Sequence, residues 1–236
     1  MPKLNHTKII LILDKSGSMS PLKNDTIGTV NNFIIEQRKA PGTADISIVA
    51  FNRKFEKVVD SLNILDDGCF LTKDNYNPSG STALYETLVE TIDSEGRILD
   101  GTREDLKPEK VIVVIMTDGE NTDFIKYSRQ DAFDRISHQS GKYNWQFVYL
   151  GANQDAFKVS SSLGISRGST ITYLSNPESI SKTGMSLNSS ISRYRSAGGS
   201  SVDFTDEEQK QVLVSKDLIE SIKVKKSLSE EEKEKS

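Results

Sequence analysis

The stretch "KIILILDKSGSM", Lys8 to Met19, decides the fold. Lys8 to Leu13 is nearly unbroken hydrocarbon, as expected of a strand buried on both faces of a mainly parallel sheet. The run ends on Asp14, and hydroxyls follow at every second position, Ser16 and Ser18. Side chains alternate along extended backbone, so Asp14, Ser16 and Ser18 can project one way while Lys15, Gly17 and Met19 face elsewhere. A buried strand that stops in a row of oxygens is building a polar edge.

The same pattern returns at "KVIVVIM", Lys110 to Met116, which runs into "TDGEN" with Asp118 and Gly119. Between the two strands, Ser20 with Pro21 reads as an N-cap followed by proline at the first helical position. Ile27, Val30 and Ile34 then recur at helical spacing up to about Lys39. "DISIVAFN" and "KFEKVVDSL" meet near Asn52 and Arg53, a junction short enough to imply an antiparallel pair with the second strand at the edge. Asn63 to Ser79 reads as loop with a short helical turn, and Thr82 to Leu99 as a helix through Leu84, Leu88 and Ile92. Ser128 and Asp131 form a capping-box pattern for a helix to about Gln139, and "WQFVYLGA" is the next strand. A short helix from Asp155 to Leu163, closed by Gly164, precedes the strand "STITYL" and a helix from Pro177 to Arg195.

This alternation predicts an α/β fold: a doubly wound open sheet, mostly parallel with one antiparallel edge strand, and helices on both faces in Rossmann-like fashion. It occupies residues 1–198. "SAGGSS" interrupts the pattern, and 199–236 reads as a charged tail, solvated from Thr205 and partly disordered, in which Val212, Leu218 and Ile222 give one narrow helical stripe.

Composition removes several classes of function. With 236 residues and a net charge of -4, the chain lacks the basic footprint of a nucleic-acid binder, and its apolar runs are too short for a signal peptide or a membrane span. The expectation is a soluble cytoplasmic protein whose partners are proteins. Cys69 is the only cysteine and there are two histidines, so no zinc cluster of thiols and imidazoles can form and any metal must be held by oxygen. Asparagine, lysine and isoleucine usage points to an AT-rich bacterial or phage genome.

In open α/β sheets ligands bind beyond the carboxyl ends of the strands, which places Asp14 and Asp118 on one edge, with Thr82 entering from the loop before its helix. Asp-x-Ser-x-Ser at Asp14, Ser16 and Ser18, then Thr82, then Asp118 in "TDG" resembles the metal-ion-dependent adhesion site of von Willebrand factor A (vWA) domains. The likeness spans about Lys8 to Tyr173, and "YLGANQDAF" with "SLGI" is similar to intracellular prokaryotic and phage members. The resemblance implies a vWA fold, hydroxyl ligation of a metal by Ser16, Ser18 and Thr82, and direct or water-mediated binding by Asp14 and Asp118. It also implies a non-enzymatic protein-binding module.

Elementary coordination chemistry favours the same cation class. Mg²⁺, or Mn²⁺ in its place, takes about six hard oxygens and gives up water reluctantly, so hydroxyls, carboxylates and retained waters suit it. If neutral hydroxyls dominate the inner shell, the ion stays short of anionic oxygen, and an Asp or Glu carboxylate of a partner protein can complete it. Two alternatives stand beside this reading. A haloacid-dehalogenase-like phosphohydrolase also places an aspartate after its first strand, but it needs a second aspartate where this chain has Ser16. A scaffold could instead make its contacts through the tail.

The remaining polar residues read as structural. Glu120 and Asp123 belong to a polar turn before a helix, His138 to a helix end, and His6 to the exposed surface. Trp145 and Phe147 fit core positions of a strand, and Cys69 is a partly buried thiol without a sequence-local base.

Overall fold

The structure, a computed structural model, describes residues 2–119, 121–123, 126–152, 156–196 and 199–213. Glu120, Asp155, Leu218 and Ile222, which figured in the expectations above, and the tail beyond residue 213 lie outside the described residues.

Six strands form one sheet: β1 (Lys3–Asp14), β2 (Thr43–Phe51), β3 (Phe55–Asn63), β4 (Pro108–Thr117), β5 (Gln146–Ala152) and β6 (Thr170–Tyr173). Their spatial order is β3-β2-β1-β4-β5-β6, all parallel except β3, which pairs antiparallel with β2. Among the described residues six α-helices accompany the sheet: α1 (Lys23–Lys39), α2 (Leu84–Gly101), α3 (Arg129–Tyr143), α4 (Ala156–Ser162), α5 (Pro177–Arg195) and α6 (Asp206–Leu213). The doubly wound sheet with an antiparallel edge is as expected.

Alternation along β1 explains why its hydrocarbon run is continuous. Ile9, Leu11 and Leu13 face a core shared with α1 and α5, through Val30, Phe33, Ile34, Ile180, Leu187 and Ile191. Ile10 and Ile12 face a second core with Leu84, Leu88 and Ile92 of α2 and Ile136 of α3. Each fully buried side chain of this size contributes about 1.5–3 kcal/mol of transfer free energy, so both faces of β1 must be apolar for the strand to sit at the centre. Trp145 and Phe147 are buried in the second core, as their alternation required.

Five details depart from expectation. β1 begins at Lys3, five residues earlier than its hydrocarbon run, and pairs His6 with Thr43 of β2. His6 is therefore buried, with Nδ1 2.8 Å from Thr43 Oγ1 and Nε2 3.1 Å from Asp45 Oδ2. Ser20 and Pro21 do not cap an α-helix: they lie within a 3₁₀ turn, Gly17–Leu22, and α1 starts after it. His138 lies inside α3, which runs on to Tyr143, and its ring meets that of Tyr143 edge-on at 5.7 Å. Cys69 is wholly rather than partly buried.

The segment expected to be solvated from Thr205 is helical over Asp206–Leu213. Val202, Phe204 and Val212 join the α1 and α5 core, Ser179 Oγ donates to the Val212 carbonyl at 2.9 Å, and Arg193 grips the Glu208 carboxylate through both nitrogens at 2.6 and 2.8 Å. The boundary expected at residue 198 therefore does not mark the end of the packing, because three well-spaced apolar side chains outweigh the surrounding charge. Ser128 and Asp131 form the expected reciprocal capping box at the start of α3. Among the described residues no helix is long and apolar enough to cross a membrane.

Candidate metal-binding edge

Strand order reverses between β1 and β4, which lie side by side although α1, β2, β3 and α2 separate them in sequence. That reversal is the topological switch point of an open α/β sheet, where the loops leaving two neighbouring strands part to opposite sides and leave a crevice. Asp14 is the last residue of β1, and Asp118 follows the last residue of β4. The edge is thus specified by where two apolar runs stop.

Asp14 is fully buried and held from three directions. Oδ1 accepts from the Ser16 amide at 2.7 Å, Oδ2 accepts from Thr117 Oγ1 at 2.7 Å, and the Asp14 carbonyl accepts from the Tyr76 hydroxyl at 2.5 Å. Ser16 Oγ stands 3.0 Å from Ser18 Oγ, and Ser18 Oγ donates to Asp118 Oδ1 at 2.8 Å. Four of the five residues singled out in the sequence are thus linked in series by hydrogen bonds, Asp14 to Ser16 through the Ser16 amide and Ser16 to Ser18 to Asp118 through side-chain oxygens.

Thr82 reaches the same place by a different route. Its amide donates to Thr122 Oγ1 at 2.9 Å, and its carbonyl accepts from the amides of Thr122 and Asp123 at 2.9 and 3.1 Å. These bonds tie the loop before α2 to the turn after β4. Thr82 is buried, and its Oγ1 lies 4.0 Å from where a Cβ on Gly119 would stand, which sets the hydroxyl beside the Asp118–Gly119 turn. Gly80 allows the approach: its φ of +78° is a conformation that L side chains rarely adopt, and its carbonyl accepts from the Gly17 amide at 2.9 Å.

Electrostatics separates this edge from an ordinary turn. Burial pushes the Asp14 carboxyl above the usual carboxylate range despite the bonds from Thr117 and Ser16, and the neighbouring Asp118 charge adds to the rise. Burial likewise raises Asp118, against the bond from Ser18. Among the described residues no lysine, arginine or histidine forms an ion pair with either acid. Two carboxylates and three hydroxyls, with no cation of the chain's own, match the donor chemistry of a small hard metal ion. No group of three or more His, Cys, Asp or Glu gathers among the described residues, so a metal at this edge depends on the hydroxyls.

Several contributors escaped the sequence reading. Thr117, which anchors Asp14, was legible as the residue between the second apolar run and Asp118. Tyr76 was not, because it comes from the long loop after β3. Burial, and then the charge of Asp14, raise its phenol well above the usual range. Asp123 serves the turn as expected: Ser81 Oγ donates to its Oδ2, and Arg53 Nε stands 4.0 Å away.

No family model and no curated protein sequence matches the chain. Solved structures do. Proximal thread matrix protein 1 from the mussel byssus superposes with a TM-score of 0.55 at 17% identity, over 78% of this chain and 45% of that one. A von Willebrand factor type A protein from Catenulispora acidiphila gives 0.54 at 16% identity, over 80% of this chain and 43% of that one. The vWF domain of the type V pili tip protein Mfa5 from Porphyromonas gingivalis gives 0.57 at 9% identity, over 81% and 97% respectively. A further form of the mussel protein, with a zinc-occupied MIDAS motif, gives 0.58 at 15% identity, over 76% and 46%. The chain spans less than half the length of the mussel and Catenulispora proteins. At these identities the likeness is one of fold, and the fold of this chain is vWA-like.

Proposed function

We propose that this chain is a Mg²⁺-dependent, non-enzymatic protein-binding module that captures an Asp or Glu side chain of a partner through the ion. Asp14, Ser16, Ser18, Thr82 and Asp118 hold the metal, and Mn²⁺ can substitute. The observation that carries the reading is the convergence of two uncompensated carboxylates and the serine hydroxyls at the switch point, with Thr82 delivered alongside. The zinc-occupied motif in a structural neighbour supports metal binding by this architecture. When bound, the ion supplies a Lewis-acidic position for an incoming carboxylate. The chain's own part is to fix the oxygens: Thr117 and the Ser16 amide orient Asp14, and Ser18 orients Asp118.

The phosphohydrolase reading loses its acid/base, since Ser16 Oγ engages Ser18 and no carboxylate occupies that position. A cytoplasmic location is part of the proposal and rests on the single cysteine, which is free and buried.

Thermal unfolding in Mg²⁺ and in EDTA tests the metal. At a hundredfold excess of free Mg²⁺ over Kd the wild type gains about 2.7 kcal/mol by mass action. Asp14→Ala and Thr82→Ala lose that gain. A wild type that unfolds identically in both buffers rules out the site.

A further inference from the structure

A second recognition element stands beside the proposed ion. The turn joining β2 to β3 is fixed by Asn52, whose Oδ1 accepts from the Lys54 amide at 3.0 Å and whose Nδ2 donates to the Ser79 carbonyl at 2.7 Å. The Asn52 carbonyl accepts from the Ala83 amide at 2.9 Å, next to Thr82. The turn is therefore laced to the loop that delivers Thr82 to the edge.

It presents Arg53, Lys54 and Phe55 to solvent. The Arg53 side chain is 75% exposed, and its closest carboxylate oxygen, on Asp123, is 4.0 Å away. Lys54 has no carboxylate partner among the described residues. Phe55 is 40% exposed, at the start of the edge strand. Two weakly engaged cations and an exposed ring thus share one rigid turn, on a chain whose net charge is negative.

We infer that this turn is the specificity rim of the metal edge, and that the partner it fits is an acidic protein segment. Such a segment carries one carboxylate for the ion, a second for Arg53 and Lys54, and an apolar side chain nearby for Phe55. The inference rests on the metal-capture reading above and extends it to what flanks the captured acid. Charge complementarity selects the second acid, since exposed cations near a binding edge steer and reward opposite charge. Because Asn52 holds the turn in place, little ordering is needed when the partner arrives.

The test is selection from a random twelve-residue peptide display library on the immobilised full chain in Mg²⁺ at low salt, with elution by EDTA. Clones from the wild type carry an Asp or Glu with a second acid and an apolar residue close by. Arg53→Glu with Lys54→Glu removes the flanking preference and weakens the best wild-type peptide about three- to tenfold, as expected for two exposed ion pairs. The loss shrinks in high salt, while the Mg²⁺-dependent rise in melting temperature persists. Eluted clones with one acid, neutral flanks and equal recovery on the double variant overturn the rim and leave metal capture standing. If no clone is released by EDTA, metal capture itself fails and the rim fails with it.

Discussion

Asp14 and Glu95 are both fully buried acids, and their surroundings are opposite. Glu95, on α2, lies 3.5 Å from Lys8 Nζ of β1 and 3.3 Å from Lys57 Nζ of β3. Neither contact has hydrogen-bond geometry, so the pairing is one of charge. Lys57 is further matched by Asp60 at 3.1 Å, and Lys8 donates to Ser61 Oγ. Asp14, at the carboxyl end of the same β1, meets hydroxyls and an amide but, among the described residues, no cation. A buried acid answered from within the chain pins a helix to a sheet. A buried acid left unanswered has room for a cation from outside, which is the role proposed for it above.

The largest expected effect belongs to the self-contained cluster. Glu95→Ala leaves two lysines facing the α2 interface and should cost about 3–5 kcal/mol, the range for breaking a buried pair from one side. The loss should be the same in Mg²⁺ and in EDTA, read from denaturant midpoints. A loss confined to one buffer would erase the contrast between the two ends of β1.

Asp14→Asn tests the other half. In EDTA this variant should be at least as stable as the wild type, because it removes an unanswered buried charge. Thr117 Oγ1, 3.0 Å from the Gly119 carbonyl, can turn its proton there and accept from the new amide. In Mg²⁺ it should forgo the gain of about 2.7 kcal/mol expected at a hundredfold excess over Kd. Marked destabilisation in EDTA would make Asp14 structural, like Glu95.

Acid should narrow that difference. Asp14 and Asp118 have folded-state pKa values above their unfolded ones. A carboxyl shifted upward contributes stability that is fully present below its unfolded pKa and lost as pH rises through its folded pKa, because the native state binds more protons in between. In EDTA the gap between wild type and Asp14→Asn should therefore close as pH falls from neutral into the raised carboxylate range, since the substituted amide cannot titrate. Protons also compete with the metal, so the Mg²⁺ increment of the wild type should fall over the same window. A gap independent of pH would place its origin in packing.

The two ends of β1 also differ in how far they could be read in advance. The fold was legible because both faces of β1 and β4 are buried, which forces unbroken apolar runs, and because those runs stop at acids. Ser16 and Ser18 were picked out by alternation along extended backbone, but β1 stops at Asp14 and Ser18 lies in the 3₁₀ turn Gly17–Leu22, so it is the turn that sets its hydroxyl beside Asp118. Thr82 could be placed near that edge by topology, but its part in the site came through the order of motif residues in the resemblance, since nothing local distinguishes a threonine before a helix from a cap. Tyr76 and Asn52 were illegible, for their roles depend on where a long loop and a hairpin return in space. The Lys8–Glu95–Lys57 cluster was equally hidden: it joins residues of three elements whose register only the packed sheet defines. In the tail, charge density concealed Val202 and Phe204, whereas Val212 was legible as part of a helical stripe, and burial is decided by apolar spacing more than by net composition.

Ser18 offers the smallest effect on stability and the finest discrimination. It is exposed, and its bond to Asp118 Oδ1 is solvent-facing. In EDTA, Ser18→Ala should shift stability by no more than about 0.5 kcal/mol, as surface changes of this kind do. Losing a ligand hydroxyl should nonetheless remove most of the Mg²⁺ increment, because a hard ion must replace that oxygen with water in a crevice shaped for the side chain. A serine that merely capped the turn would give equal small losses with and without metal. The ratio of the two losses therefore reports whether the oxygen row at the end of β1 serves the fold, as Glu95 does, or an ion.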